Sequence, residues 1–208
     1  MEITDPAVND YLYSLLPERD PVLQEMEALA RERSIPIIGP AVARIVYQLV
    51  RLVKAKTIFE LGSAIGYSTI WIARAAGEGS VVYYTDSNPE NARRAERFFE
   101  RAGVRDRVRI LTGNALDLFD QTPGTFDIIF CDVDKEQYPH VFHKAVPRIR
   151  KGGLFLADNV LWHGRVTQPP ADDATRGILE FNRLIYSSRD LFPTILPVRD
   201  GFAVCEKL

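Results

Sequence analysis

The sequence predicts an α/β protein: a doubly wound, mostly parallel sheet with helices ahead of it and an antiparallel hairpin at its end. Three observations carry that prediction. Short β-branched and apolar runs alternate with segments of helical periodicity, which is the mark of βαβ units. Five such runs between residues 57 and 158 each stop at a glycine or an acid. Beyond them, two further runs flank Arg199, Asp200 and Gly201, a tight-turn signal and not a crossover.

In chain order, "PVLQEMEALARER" (21–33) and "GPAVARIVYQLVRLV" (39–53) repeat apolar residues at helical spacing and precede the sheet. "TIFELG" (57–62) is a strand that stops at Gly62 and leads through a glycine-containing turn into the helix "YSTIWIARAA". "VVYYTD" (81–86) is the second strand. In "NPENARRAERFFERAG" Asn88 is placed to cap a helix, Pro89 stands at its first position and Gly103 at its C-terminal cap. "VRILTG" (108–113), "FDIIFCD" (126–132) and "GGLFLAD" (152–158) follow as strands three to five, with helical segments between them. The helix "ATRGILEFNRLIY" then leads into "TILPV" and "FAVCEKL", the closing hairpin. No internal repeat or low-complexity stretch interrupts the pattern, and "QPPADD" (168–173) reads as a mobile loop.

A length of 208 residues supports one sizeable core, so the expectation is a single domain over 1–208, with 1–53 as an N-terminal helical segment and 54–208 as the sheet core. Lys and Arg number 26 against 28 Asp and Glu, so no overall polyelectrolyte attraction draws the chain to nucleic acid or anionic lipid. Small-molecule chemistry is favoured. Cys131 and Cys205 both lie in apolar strand-like runs, which suits small buried hydrophobes in a reducing compartment. Neither a signal peptide nor a run of membrane-spanning length is apparent, so a cytoplasmic location is expected.

In an open parallel sheet, ligands bind beyond the carboxyl ends of the strands. The unusual polar residues fall there: Glu60 and Gly62, Asp86, Gly113 and Asn114, Asp132 to Lys135, and Asp158 with Asn159. Gly62 and Gly66 are four apart, which is not the dinucleotide fingerprint. Asp86 lies twenty residues past Gly66, where a carboxylate can accept both ribose hydroxyls. The alternative for the glycine pair is tight strand-to-helix packing. Burying an unpaired carboxylate is costly, so acids at the mouth of a core strand need a reason. Asp132, Asp158 and Asn159 offer hard oxygens without cysteine or histidine, which suits Mg²⁺, Mn²⁺ or Ca²⁺ and not zinc. The competing reading is that Asp158 and Asn159 make turn hydrogen bonds at a strand end.

Four pieces, "AKTIFELGSAIGYST", "TFDIIFCDVDKEQY", "KGGLFLADNVLWHG" and "DGFAVC", resemble the cation-dependent O-methyltransferases of the caffeoyl-CoA and catechol type. The similarity runs from about residue 21 to the C-terminus. It implies a seven-stranded class I methyltransferase sheet, Rossmann-like, that binds S-adenosylmethionine. It also implies Asp132, Asp158 and Asn159 as ligands of a divalent cation and Lys135 as the catalytic lysine. Glu60, Gly62 and Ser68 match positions around the methionine part of the donor, Asp86 the ribose acid, and Asn114 with Ala115 the adenine contact; Asp132 also borders the donor. Asp134 reads either as a wall of the acceptor pocket or as a residue behind the ligands, and His163, directly after Trp162, either as lining that pocket with it or as a loop histidine without a role; a homodimer is expected from the resemblance.

The implied reaction is methyl transfer to a metal-chelated hydroxyl of a catechol-like or phenolic acceptor, with Lys135 as general base. Without the resemblance, Lys135 reads as an ordinary ion pair with Asp132 or Asp134. His140 and His143, three apart on a helix without an H-E-x-x-H pattern, read as a solvated face. Seven arginines between 93 and 109 raise a transfer-RNA hydroxyuridine as an alternative acceptor. Acids interleaved at helical spacing favour a salt-bridged exposed helix instead. A nicotinamide-dependent oxidoreductase is the alternative from another class, and the glycine spacing argues against it.

Overall fold

Strands that pair on both edges in a parallel sheet must be apolar on both faces. The computed structural model, which describes residues 3–208, builds its central strands this way, with β4 (Phe126–Cys131) buried at every position but Asp127. The first two residues of the expected N-terminal segment lie outside the described residues. The other strands are β1 (Thr57–Leu61), β2 (Val81–Asp86), β3 (Val108–Thr112), β5 (Ile149–Asp158), β6 (Leu191–Leu196) and β7 (Phe202–Lys207). Their order in the sheet is β3-β2-β1-β4-β5-β7-β6, which is the seven-stranded class I arrangement expected. The chain divides into two compact units, Leu15–Pro123 and Gly124–Leu208 together with the N-terminal helix.

In Leu15–Pro123, β1 pairs parallel with β2 from Thr57↔Val81, and β2 parallel with β3 from Val82↔Val108. Its helices are α2 (Pro21–Arg33), α3 (Gly39–Leu52), α4 (Tyr67–Ala76), α5 (Pro89–Arg101) and α6 (Ala115–Gln121). Asp20 caps α2, accepting from Val22 N at 3.1 Å and Leu23 N at 3.4 Å, and Asn88 caps α5 through Glu90 N at 2.9 Å. Each cap is followed by proline at the first helical position, as the sequence predicts for α5. At the other end of α5 the cap residue is Ala102, and Gly103 takes the left-handed position after it. Gly103 N donates to Glu100 O (3.1 Å) and Val104 N to Phe99 O (3.0 Å), which satisfies two terminal carbonyls. Four of the seven arginines form surface ion pairs: Arg93 and Arg94 meet Glu90, Arg105 meets Glu96 and Arg101 meets Glu25. Beneath them Phe59 packs edge-on against Phe119 at 4.9 Å, and Tyr84 against Phe99 at 5.7 Å. The buried Glu27 is held by Arg19 at 2.9 Å and by the Tyr67 hydroxyl at 2.7 Å, so its charge is both paired and hydrogen-bonded.

In the second unit β4 pairs parallel with β5, β5 antiparallel with β7 (Asp158↔Phe202), and β7 antiparallel with β6. The hairpin and its sense are as predicted. β5 begins at Ile149, three residues before the predicted run, because Gly152 and Gly153 lie within the strand near a register shift between Phe126 and Ile128 and do not mark its start. α7 (Tyr138–Ala145) and α8 (Asp173–Ser187) complete the unit, α8 capped by Asp172 through Thr175 N at 2.7 Å. His140 and His143 are exposed on α7, as a solvated face requires. Both cysteines are free and buried. The N-terminal helix α1 (Pro6–Ser14) lies in the segment expected to be helical, although no individual helix was read there. Asp5 Oδ1 caps it, accepting from Ala7 N at 2.9 Å and Val8 N at 3.3 Å. Among the described residues, no helix is long and apolar enough to cross a membrane.

Candidate active site

The turn after β1 is drawn tight by its neighbours. Thr85 on β2 receives Gly62 N on its hydroxyl at 3.1 Å and donates that hydroxyl to the Glu60 carbonyl at 2.8 Å. Ser63 N donates back to Thr85 O at 2.8 Å. The Glu60 side chain is fully buried and accepts from the Thr69 hydroxyl on α4. Ser68, on the first turn of α4, is buried as well. Gly66 precedes α4 at φ 82, and a Cβ there would lie 2.5 Å from the Phe99 ring, so both its conformation and its packing demand glycine. The packing reading of the glycine turn therefore holds at Gly66, while Gly62 is half-buried with its N–H given to Thr85.

Asp86 ends β2 with Oδ1 accepting from Asn88 N at 2.8 Å and Asn91 Nδ2 at 3.2 Å. Asn114 is the N-cap of α6, its Oδ1 accepting from Leu116 N (2.9 Å) and Asp117 N (3.2 Å), and Ala115 opens the helix half-buried. The loop-to-helix turns after β1, β2 and β3 thus present Glu60, Gly62, Ser68, Asp86, Asn114 and Ala115 within one unit.

The ends of β4 and β5 carry the second cluster. Lys135 is 9% exposed, and its ammonium donates to Asp132 Oδ1 at 2.9 Å, Val133 O at 3.1 Å and the Tyr138 hydroxyl at 3.0 Å. Tyr138 in turn donates to the Asp158 carbonyl at 2.8 Å, which links the two strand ends through one phenol. The ion pair expected of Lys135 forms with Asp132; Asp134 is exposed and stands apart in the following turn. Asp158 is 2% exposed, and its Oδ1 meets no hydrogen-bond donor among the described residues. Burial, reinforced by the like charge of Asp132, pushes the Asp158 carboxyl up to about 7. Desolvation also raises Asp132, against the pull of Lys135 and Arg199.

Among the described residues no group of three His, Cys, Asp or Glu side chains is placed to hold a metal. The predicted set differs in kind, being two carboxylates and the Asn159 amide. A buried carboxylate oxygen without a donor costs about 1–3 kcal/mol, and an acid raised by burial and by a neighbouring carboxylate gains from a hard dication, so these residues fit one.

After Asp158 the backbone is strained. Asn159 (φ 59), Trp162 (φ 46) and His163 (φ 53) all adopt the left-handed region, as does Arg199 (φ 49) in the β6–β7 loop that faces them. For residues with a Cβ other than Asn this costs roughly 1 kcal/mol each. Asp200, 8% exposed, accepts from His163 N, and its Oδ2 lies 3.7 Å from His163 Nδ1. Next to this pair is a cavity of about 380 Å³, walled on one side by Asn9, Asp10 and Tyr13 of α1 and on the other by His163, Arg199 and Asp200. Trp162 is half-buried, and its Nε1 has no hydrogen-bond partner among the described residues. The sequence reading named Trp162 and His163 but missed Tyr138, Arg199, Asp200 and the whole of α1. The Asp5-Pro6 pair was the available signal for the helix.

With this geometry in place, comparison with known proteins becomes specific. The family model described as O-methyltransferase matches residues 17–208. A catechol O-methyltransferase from Niastella koreensis is 34% identical over 197 residues, 91% of this chain and 89% of that protein. Caffeoyl-CoA O-methyltransferase 1 from Eucalyptus globulus is 31% identical over 172 residues, 77% of this chain and 70% of its own length. Among solved structures, the O-methyltransferase from Bacillus cereus in complex with SAH superposes with a TM-score of 0.88 at 30% identity, covering 97% of both chains.

Proposed function

The chain belongs to the O-methyltransferase family, and from that premise we propose that it transfers the methyl group of S-adenosylmethionine to one hydroxyl of a small catechol-like acceptor with the help of a divalent cation. The observation that carries the reading is the β4–β5 cluster: a buried carboxylate with an oxygen to spare at Asp158, beside a second acid and a buried lysine. Donor binding falls to the turns after β1, β2 and β3. There Asp86 would accept from the ribose hydroxyls, Glu60, Gly62 and Ser68 would border the methionine part, and Asn114 with Ala115 the adenine. That the similar Bacillus cereus enzyme was solved with SAH supports the choice of donor.

Asp132, Asp158 and Asn159 would hold the cation, which when bound supplies Lewis-acid activation and a template for two adjacent acceptor oxygens. Lys135 would take the hydroxyl proton on Nζ. The oxygen's electron pair then forms the new O–CH₃ bond as the S–CH₃ bond breaks, leaving a methyl ether and S-adenosylhomocysteine. Tyr138 fixes the lysine head against the β5 carbonyl, so the base keeps its aim. Asp134, Trp162 and His163 would border the acceptor. A homodimer in the cytoplasm completes the proposal, and the two buried free thiols suit that compartment.

The test is methyl transfer to a catechol from labelled donor, with and without Mg²⁺ and chelator. Lys135→Met and Asp158→Ala should each lower turnover by about 100-fold or more. Asp158→Ala should also abolish the response to Mg²⁺. Wild-type rates in both variants would remove the mechanism.

A further inference from the structure

We propose that Glu27 is a positioning residue for the methyl donor: by holding the Tyr67 hydroxyl it fixes the first turn of α4, and so sets donor affinity without meeting the donor itself. This deepens the donor reading above and rests on it. The first turn of α4 carries three successive side chains with separate tasks. Tyr67 is 1% exposed and donates its hydroxyl to Glu27 Oε1 at 2.7 Å. Ser68, assigned above to the methionine part of the donor, comes next, about 100° around the helix axis. Thr69 donates to the buried side chain of Glu60, which is assigned to the same part of the donor. A shift of this turn therefore moves Ser68 and Glu60 together.

That turn has no side-chain cap to hold it. Asp20 and Asn88 fasten α2 and α5 through their carboxylate and amide, whereas the residue before α4 is Gly66, which has no side chain to offer. Two ties to α2 and its cap take over that task. Tyr67 reaches Glu27, and Arg74 Nη1 reaches Asp20 Oδ2 at 2.6 Å. The ties lie seven residues apart on each segment, about two helical turns, so they fix α4 in direction as well as in place. Burial separates them. Arg74 and Asp20 are 29% and 36% exposed, which leaves their pair weak, while the tie at the donor end of the helix is buried. Glu27 is itself held still, because Arg19 donates to Oε1 from Nε and to Oε2 from Nη2, both at 2.9 Å, as a forked pair. A buried ion pair is often no more stabilising than apolar residues of the same volume, so its presence against this turn is explained by the geometry it imposes.

The experiment measures dissociation constants for S-adenosylhomocysteine by calorimetry, together with melting temperatures, for wild type, Tyr67→Phe, Glu27→Leu and Glu27→Gln. Tyr67→Phe removes one oxygen and keeps the ring, and it should weaken binding roughly 10-fold. Glu27→Leu should weaken it by a similar factor. Glu27→Gln returns an oxygen that can accept from Tyr67, so it should recover the affinity to within about 3-fold of wild type. Both Glu27 variants should melt at lower temperature, since each strips Arg19 of its counter-ion. Affinity then follows the acceptor of the Tyr67 hydroxyl and stability follows the charge, a separation that a merely structural role would not produce. Should Glu27→Leu fail to fold, Tyr67→Phe against Glu27→Gln makes the same comparison. Wild-type affinity in Tyr67→Phe, Glu27→Gln binding as weakly as Tyr67→Phe, or affinities that fall in step with melting temperature would each overturn the inference while leaving the donor reading standing. If wild type does not bind S-adenosylhomocysteine, the donor reading falls and takes this inference with it.

Discussion

The turn after β1 and the turn after β5 both deliver polar residues from a strand end, and they are built in opposite ways. After β1 the backbone is stitched to Thr85, Glu60 is buried against Thr69, and the left-handed positions fall to Gly62 and Gly66 with Ala64 as the one exception. After β5 and in the loop that faces it, Asn159, Trp162, His163 and Arg199 all take left-handed backbone. Asp158 Oδ1, Asp200 Oδ2 and Trp162 Nε1 are buried without hydrogen-bond partners among the described residues. The first turn spends the Gly62 and Ser63 N–H groups and the Thr85 hydroxyl on its own structure; the second carries more left-handed residues with a Cβ and more buried polar atoms without a hydrogen bond. Strain of this kind persists only where surrounding structure enforces it, which is why the second turn is the place to look for reacting groups.

The largest effect is expected where the second region is enforced. A Cβ on Gly177 of α8 would lie 2.4 Å from the Lys135 carbonyl and 2.7 Å from Glu136 Cα, both backbone atoms. Gly177→Ala should therefore cost about 3 kcal/mol in urea denaturation and cut turnover at least 10-fold in the molecules that remain folded. Undiminished stability would mean that the lysine turn is not braced by α8. Gly66→Ala probes the first region: the methyl would meet the far edge of the Phe99 ring, at a backbone φ of 82. A loss of roughly 2 kcal/mol is expected, with the rise in KM confined to the donor.

The smallest effect sharpens the contrast by locating its lower edge. Burial holds the Cys205 thiol up at about 12, so at pH 8 it is protonated as well as inaccessible. Native protein should leave both cysteines untouched by a thiol reagent at pH 8, and denaturant should expose both. Reaction in the native state would show that the looseness of the rim reaches down into β4 and β7.

How much of this was legible depends on whether a signal was local. Helices α2, α4 and α5 were readable because their apolar stripes face a core and their caps are local chemistry, as at Asn88 and Pro89. β6 was read as starting at Thr194, after Pro193, yet it runs from Leu191 through that proline, which an edge strand tolerates. α1 was missed because Val8, Tyr11 and Leu12 face outward and none of its residues is buried, so no inward stripe marks it. Asp132, Lys135 and Asp158 stood out as charges at the ends of apolar strands. Tyr138, Arg199 and Asp200 did not, since their roles arise from pairing across distant parts of the chain: a phenol reaching β5, and a hairpin loop meeting the segment after Asp158.

The attachment of α1 has a practical side. A hydroxyl-to-carbonyl bond, Thr4 to Pro197, helps fasten the arm that leads into a wall of the cavity. The last residue, Leu208, is moored instead to Asp190, at the far end of the hairpin from Asp200. Fusions and immobilisation tethers belong on the carboxyl terminus, because cargo hung from the amino terminus would sit against a wall of that cavity.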